Sequence, residues 1–91
     1  MTQIVVSPER LEAVASTFDT QKTETETIIS ALIGQMSDLE AEWEGVAQSR
    51  FYVQWNETVP QARQFSHLLG EIAAELRRIA QVFRETDEHV I

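Results

Sequence analysis

Apolar positions along this chain fall into two long stripes of alternating three- and four-residue spacing. The first reads Leu11, Val14, Phe18, Thr25, Ile28, Leu32, Met36, Leu39 and Trp43, broadened by Ala15, Ile29 and Ile33. The second reads Phe51, Trp55, Thr58, Ala62, Phe65, Leu69, Ile72, Leu76, Ile79 and Phe83. Such spacing places one apolar face on a helix of period 3.6. Between the stripes lies only the break around Glu42-Trp43-Glu44-Gly45. The pattern predicts a helix over about 8–42, a turn over about 43–45, a helix over about 46–86 and a tail to residue 91. The heptads run to both ends without a linker, so residues 1–91 read as a single helical-hairpin domain.

Local signals agree with these boundaries. Ser7-Pro8-Glu9 is a helix start: Ser7 as N-cap, Pro8 at the first helical position, Glu9 facing the positive end of the helix dipole. Val6 and Leu11 occupy the two positions of a hydrophobic staple. Gly45 is the residue nearby that takes a positive φ without steric cost, as a helix end or sharp reversal demands. Thr20 to Thr27 alternate in a way that also suits a strand, and threonine is a poor helix former. The stripe nevertheless resumes in phase at Ile28 after passing through Thr25, so we assign helix. Pro60 falls inside the second run, and the heptad keeps phase across it. That predicts a kink near Asn56–Pro60; a third helix starting at Pro60 is the alternative.

Two long helices joined by so short a link lie antiparallel. The fold class is therefore all-α, an antiparallel helical hairpin. With the turn near Glu44, facing residues have numbers totalling about 88, and the second helix outruns the first by about ten residues, or about 15 Å. Phe83, Val90 and Ile91 then overhang the hairpin. The stripes are also wider than a two-helix seam requires. We assign the core or dimer seam to Leu11, Phe18, Ile28, Leu32, Leu39, Phe51, Trp55, Phe65, Leu69, Ile72, Leu76 and Ile79. Leftover apolar positions such as Ile29, Ile33, Tyr52, Leu68 and Ala73 point to a second hairpin alongside, pairing into a four-helix bundle as a dimer.

Composition narrows the function. The 91 residues include 15 acidic and 7 basic side chains, a net charge of −8, and the basic ones are scattered. Binding to nucleic acid or an anionic membrane calls for clustered Lys and Arg, so both are disfavoured. There are no cysteines to supply a disulfide or a thiolate metal site. No basic-then-apolar leader is visible at the N-terminus, and no apolar run reaches the length of a membrane span.

The Trp43-Glu44-Gly45 turn, centred between two long helices in a chain of this length, resembles the WXG family of type VII secretion substrates, the early-secreted-antigen type. The resemblance covers essentially the whole chain. It implies a small protein secreted without a cleavable signal peptide, cytoplasmic before export, and exported as a folded dimer. It also implies an aromatic-x-x-x-acidic signal near the C-terminus. Phe83 and Asp87 stand at that spacing, one turn apart on one helix face, with phenylalanine where the family usually has tyrosine. That change removes a hydroxyl and its hydrogen bond. By the resemblance, the turn of one subunit, with Trp43 and Gly45, and the tail of the other form a composite recognition surface. The tail docks on an FtsK/SpoIIIE-type secretion ATPase by the helix-in-groove mode. Phe83 is the anchor there, Asp87 the orienting charge, and Val90 and Ile91 further anchors. The partner in the dimer is a second copy, which we favour, or a paralogous WXG protein.

Other polar groups point nowhere sharper. Asp38, Glu40, Glu42 and Glu44 form an acidic tip; Asp38 and Glu42 alone make a poor cation site. His67 and His89 lie about 33 Å apart along one helix and share no metal. No nucleophile–base pair, phosphate loop or metal-spaced cluster occurs, so neither an enzyme nor a cofactor is expected. An intracellular coiled-coil adaptor or scaffold would show the same stripes without the turn and tail signals. Export into the medium separates the two readings.

Overall fold

Helix α1 spans Pro8–Glu42 and helix α2 spans Val46–Thr86 in a computed structural model that describes residues 6–86. The first turn of α1 is built as its sequence requires. Ser7 is extended (φ −96°, ψ 152°), its hydroxyl accepts the Arg10 N–H at 3.0 Å, and Pro8 follows it inside the helix.

The threonine-rich segment is helical throughout, for a visible reason. Thr20, Thr23, Thr25 and Thr27 each donate their hydroxyl to the carbonyl four residues earlier, at 2.7–3.2 Å. The groups that weaken threonine as a helix former are thereby satisfied on the helix itself. At the far end Trp43 is the C-cap with extended backbone, and Gly45 takes φ 113°. A Cβ at Gly45 would meet nothing within 4 Å, so the need for glycine is purely one of backbone conformation. Helix α2 continues through Pro60. Asn56, whose carbonyl loses its donor to the proline ring, is exposed together with Pro60, on a side that water reaches.

The two helices lie along one another as a rod of 64 × 22 × 21 Å. Their seam is made of small groups. Ala15, Ala73 and Ala80 are fully buried, joined by Pro8, Tyr52 and Ser66. With so little side chain between them, the backbones approach closely.

Within the hairpin this seam takes up only part of the set assigned to the core or dimer seam. On α2 it follows Tyr52, Val59, Ser66, Ala73 and Ala80, one position on from the expected Phe51, Thr58, Phe65, Ile72 and Ile79. Among the expected seam residues, Leu11, Phe18, Trp55, Leu69, Leu76 and Ile79 are half-buried, while Ile28, Leu32, Leu39, Phe51, Phe65 and Ile72 are exposed. Conversely Tyr52 and Ala73, read as leftovers, lie inside, with Ile29 and Ile33 half-buried; of that set Leu68 is exposed. A broad stripe offers two neighbouring rows to a partner helix, and the closest approach selects the row with the smaller side chains.

At the open end the side chains meet in a different register from the expected one. Arg84 reaches Glu12 and Glu9 across the hairpin, and Arg77 reaches Asp19. These pairs (84 with 12, 77 with 19) each total 96, not 88. Side chains lean toward the N-terminus of their own helix, so in an antiparallel pair they lean toward one another. Phe83 accordingly sits half-buried within the hairpin. Asp87, His89, Val90 and Ile91 lie outside the described residues.

Candidate interaction surfaces

The ion pairs fix which flank of the seam is which. On α2, Arg63, Arg77 and Arg84 lie at multiples of seven, as do Glu12, Asp19 and Glu26 on α1. Arg84 donates to Glu12 at 2.6 and 2.9 Å and to Glu9 at 3.3 Å. Arg77 donates to Asp19. In an antiparallel pair, equivalent heptad positions of the two helices share a flank. This is the polar flank. The Arg84 hydrogen bond holds the Glu12 carboxyl below its ordinary range, against a smaller opposing effect of burial. Sequence inspection passed over this ladder, although its seven-residue spacing on both helices was legible.

The opposite flank is apolar and open. Ile28, Leu32 and Leu39 lie on it from α1, and Phe51, Phe65 and Ile72 from α2. Phe65 is 55% exposed and Ile28 59%. These aliphatic and aromatic side chains recur as a strip along about half of the 64 Å rod. Contiguous exposed apolar area on this scale marks a protein–protein surface. Leu69, Leu76 and Trp55 sit half-buried between this strip and the seam.

At the closed end three aromatic rings pack together. Trp43 lies 5.7 Å from Phe51 and 6.2 Å from Tyr52, and Phe51 meets Tyr52 edge-on at 5.4 Å. The Tyr52 hydroxyl donates to the Met36 carbonyl at 2.6 Å, tying α2 to α1 about two helical turns before the chain reverses. Burial, with the Glu40 carboxylate adding to it, pushes the Tyr52 phenol up. Trp43 is thus held from below by its own hairpin and is half-buried. Gly45 is exposed beside it, and so are Asp38, Glu40, Glu42 and Glu44. Among the described residues, no group of three or more His, Cys, Asp or Glu is placed to hold a metal ion. His67 is on the surface, 2.8 Å from Glu71 of its own helix. No helix among the described residues is long and apolar enough to cross a membrane.

Comparison with known proteins places this geometry. The family model WXG100, proteins of 100 residues with WXG, matches residues 3–88. The type VII secretion system extracellular protein A of Staphylococcus aureus (strain USA300) is 31% identical over 90 residues, 99% of this chain and 93% of that protein. Among solved structures, the secreted protein EsxB of Bacillus anthracis str. Sterne superposes with a TM-score of 0.81 at 33% identity, covering 97% of this chain and 100% of its own. EsxA of Geobacillus thermodenitrificans does so with a TM-score of 0.80 at 27% identity, covering 93% and 92%.

Proposed function

The chain belongs to the WXG100 family and is homologous to type VII secretion substrates, and from that premise we propose that it is itself exported by a type VII system as a folded dimer. The observation that carries the dimer is the apolar flank. Ile28, Leu32, Phe51, Phe65 and Ile72 are exposed on a hairpin whose fully buried seam groups are alanines. A second hairpin laid against this flank buries the strip and completes a four-helix bundle. We favour a second copy of this chain, because one sequence carries both the Trp43-Glu44-Gly45 turn and the Phe83-x-x-x-Asp87 tail. The name of the Staphylococcus relative supports an extracellular destination.

In this reading the tail docks on an FtsK/SpoIIIE-type secretion ATPase. Phe83 anchors it, Asp87 orients it, and Val90 and Ile91 extend the contact. The test pairs folding with export. Light scattering on the purified chain should give twice the chain mass. The protein should be found in culture medium and stay in the cell when the ATPase gene is deleted. Asp87→Ala should leave melting unchanged yet stop export. A monomer that doubles in mass only with a second gene product would replace the homodimer by a heterodimer. Normal secretion of Asp87→Ala would remove the docking signal.

A further inference from the structure

The ladder on the polar flank stops after two rungs: the next sets Gly70 opposite Glu26, and the one beyond it carries Arg63. Arg84 and Arg77 each hold carboxylates of α1, but Arg63, two heptads before Arg77 on the same helix face, has no ion-pair or hydrogen-bond partner among the described residues. Its neighbours three and four positions away are Val59, Pro60, Ser66 and His67, none of them acidic. Across the seam, the residue that the 96 register sets opposite Arg63 is Ile33. The nearby acid, Glu26, is already held by Lys22 at 3.1 Å.

Beside Arg63, residues of both helices border a common space. A cleft of about 340 Å³ opens there, lined by Glu26, Ile29, Ser30, Arg63 and Ser66. Ser66 is only 4% exposed, and its hydroxyl has no hydrogen-bond partner among the described residues. A buried hydroxyl left unpaired is costly, and proteins rarely keep one without a use. Ser66 lines the cleft, and a hydroxyl donor can rotate to suit an acceptor brought beside it.

We infer that the Arg63 cleft is a carboxylate-binding site, taking an acidic side chain of a bound polypeptide or a free small carboxylate. The guanidinium fork matches a planar carboxylate with two parallel hydrogen bonds. The Ser66 hydroxyl supplies a third donor, and Ile29 gives the short aliphatic stem an apolar wall. The ligand is a monoanion. One arginine beside the fixed negative charge of Glu26, on a chain of net charge −8, does not hold a phosphate dianion. The size of the cleft, at the lower end of ligand pockets, fits one such group. Lying on the flank opposite the apolar strip, the site stays open when that strip is covered.

The test is an amide-resolved NMR titration of the full chain with butyrate and with butyramide, its neutral analogue. The short peptide acetyl-Ala-Ala-Glu-Ala-Ala-amide and its Gln counterpart form a second arm. Saturable shifts confined to residues 26–30 and 63–66, from the charged member of each pair alone, are expected. The tighter of butyrate and the Glu peptide identifies the source of the carboxylate. Arg63→Gln, at an exposed position, should weaken binding about tenfold or more. Ser66→Ala should weaken it about threefold while melting no lower than the parent. Glu26→Gln should strengthen it by removing the competing charge. Equal response to butyramide, or binding that survives Arg63→Gln but is lost in Arg50→Gln, would overturn the assignment.

Discussion

Along the flank that carries Glu12 and Asp19, the hairpin closes on itself; along the flank that carries Ile28 and Phe65, it does not. The first flank is a set of exposed ion pairs between α1 and α2, and such pairs contribute little to stability because water screens them. They set register. The second flank holds six large apolar side chains that remain in water, while Ala15, Ala73 and Ala80 are the fully buried groups of the seam. In the proposed dimer these bulky groups would lie inside a second interface, while the charges align the hairpin.

The strongest break in that contrast is Leu69→Asp, at a half-buried position between seam and strip. An unpaired carboxylate there costs several kcal/mol, on the scale of the whole stability of a small domain. Circular dichroism should show lost helix, and a variant with unchanged helicity and mass would place Leu69 outside both interfaces.

Ala73→Leu attacks the seam alone. The alanine is fully buried, so a larger side chain forces the helices apart at about 1–3 kcal/mol. Thermal melting should fall by several degrees, and an unchanged melt would mean that the backbones are not in close approach at this point.

Phe65→Ser probes the strip alone. Phe65 is 55% exposed within its own hairpin, so the substitution should leave helix content intact and act on association. Losing an apolar side chain of this size from an interface corresponds to about 1.5–3 kcal/mol, more than tenfold in the dissociation constant. Sedimentation across a dilution series reads this directly; wild-type association of the variant would detach the strip from dimerisation.

The smallest effect belongs to the ladder, and its sign follows from Glu12. Arg84 holds that carboxyl below its ordinary value in the folded state. Its stabilising contribution is therefore complete above the ordinary carboxylate range and disappears as the pH falls through the lowered folded value. Glu75, lowered in the same direction by Arg78 on its own helix, acts in the same acidic window. Melting temperature should decline on acidification, and less steeply in Glu12→Gln. Parallel slopes for the two proteins would show that the Glu12–Arg84 pair contributes nothing to the folded state.

The sequence by itself determined the local events: Ser7-Pro8 starting α1, Gly45 permitting the reversal, two unbroken heptad runs, and the Trp43-x-Gly45 turn that carries the family likeness. Each of these depends on the conformational preference of one or a few neighbouring residues, and a linear pattern records them. Even the threonine run was legible from phase alone, although its hydroxyl bonds to the backbone were not. The choice between the Phe51–Phe65–Ile72 row and the Tyr52–Ser66–Ala73 row was left to the tertiary structure. Both rows are apolar enough and one residue apart, and only the distance between two backbones separates them. That distance is set jointly by Ala15, Ala73 and Ala80, far apart in the chain. The register at the open end was decided there as well. It depends on two side chains leaning toward one another across a gap, which no single helix encodes.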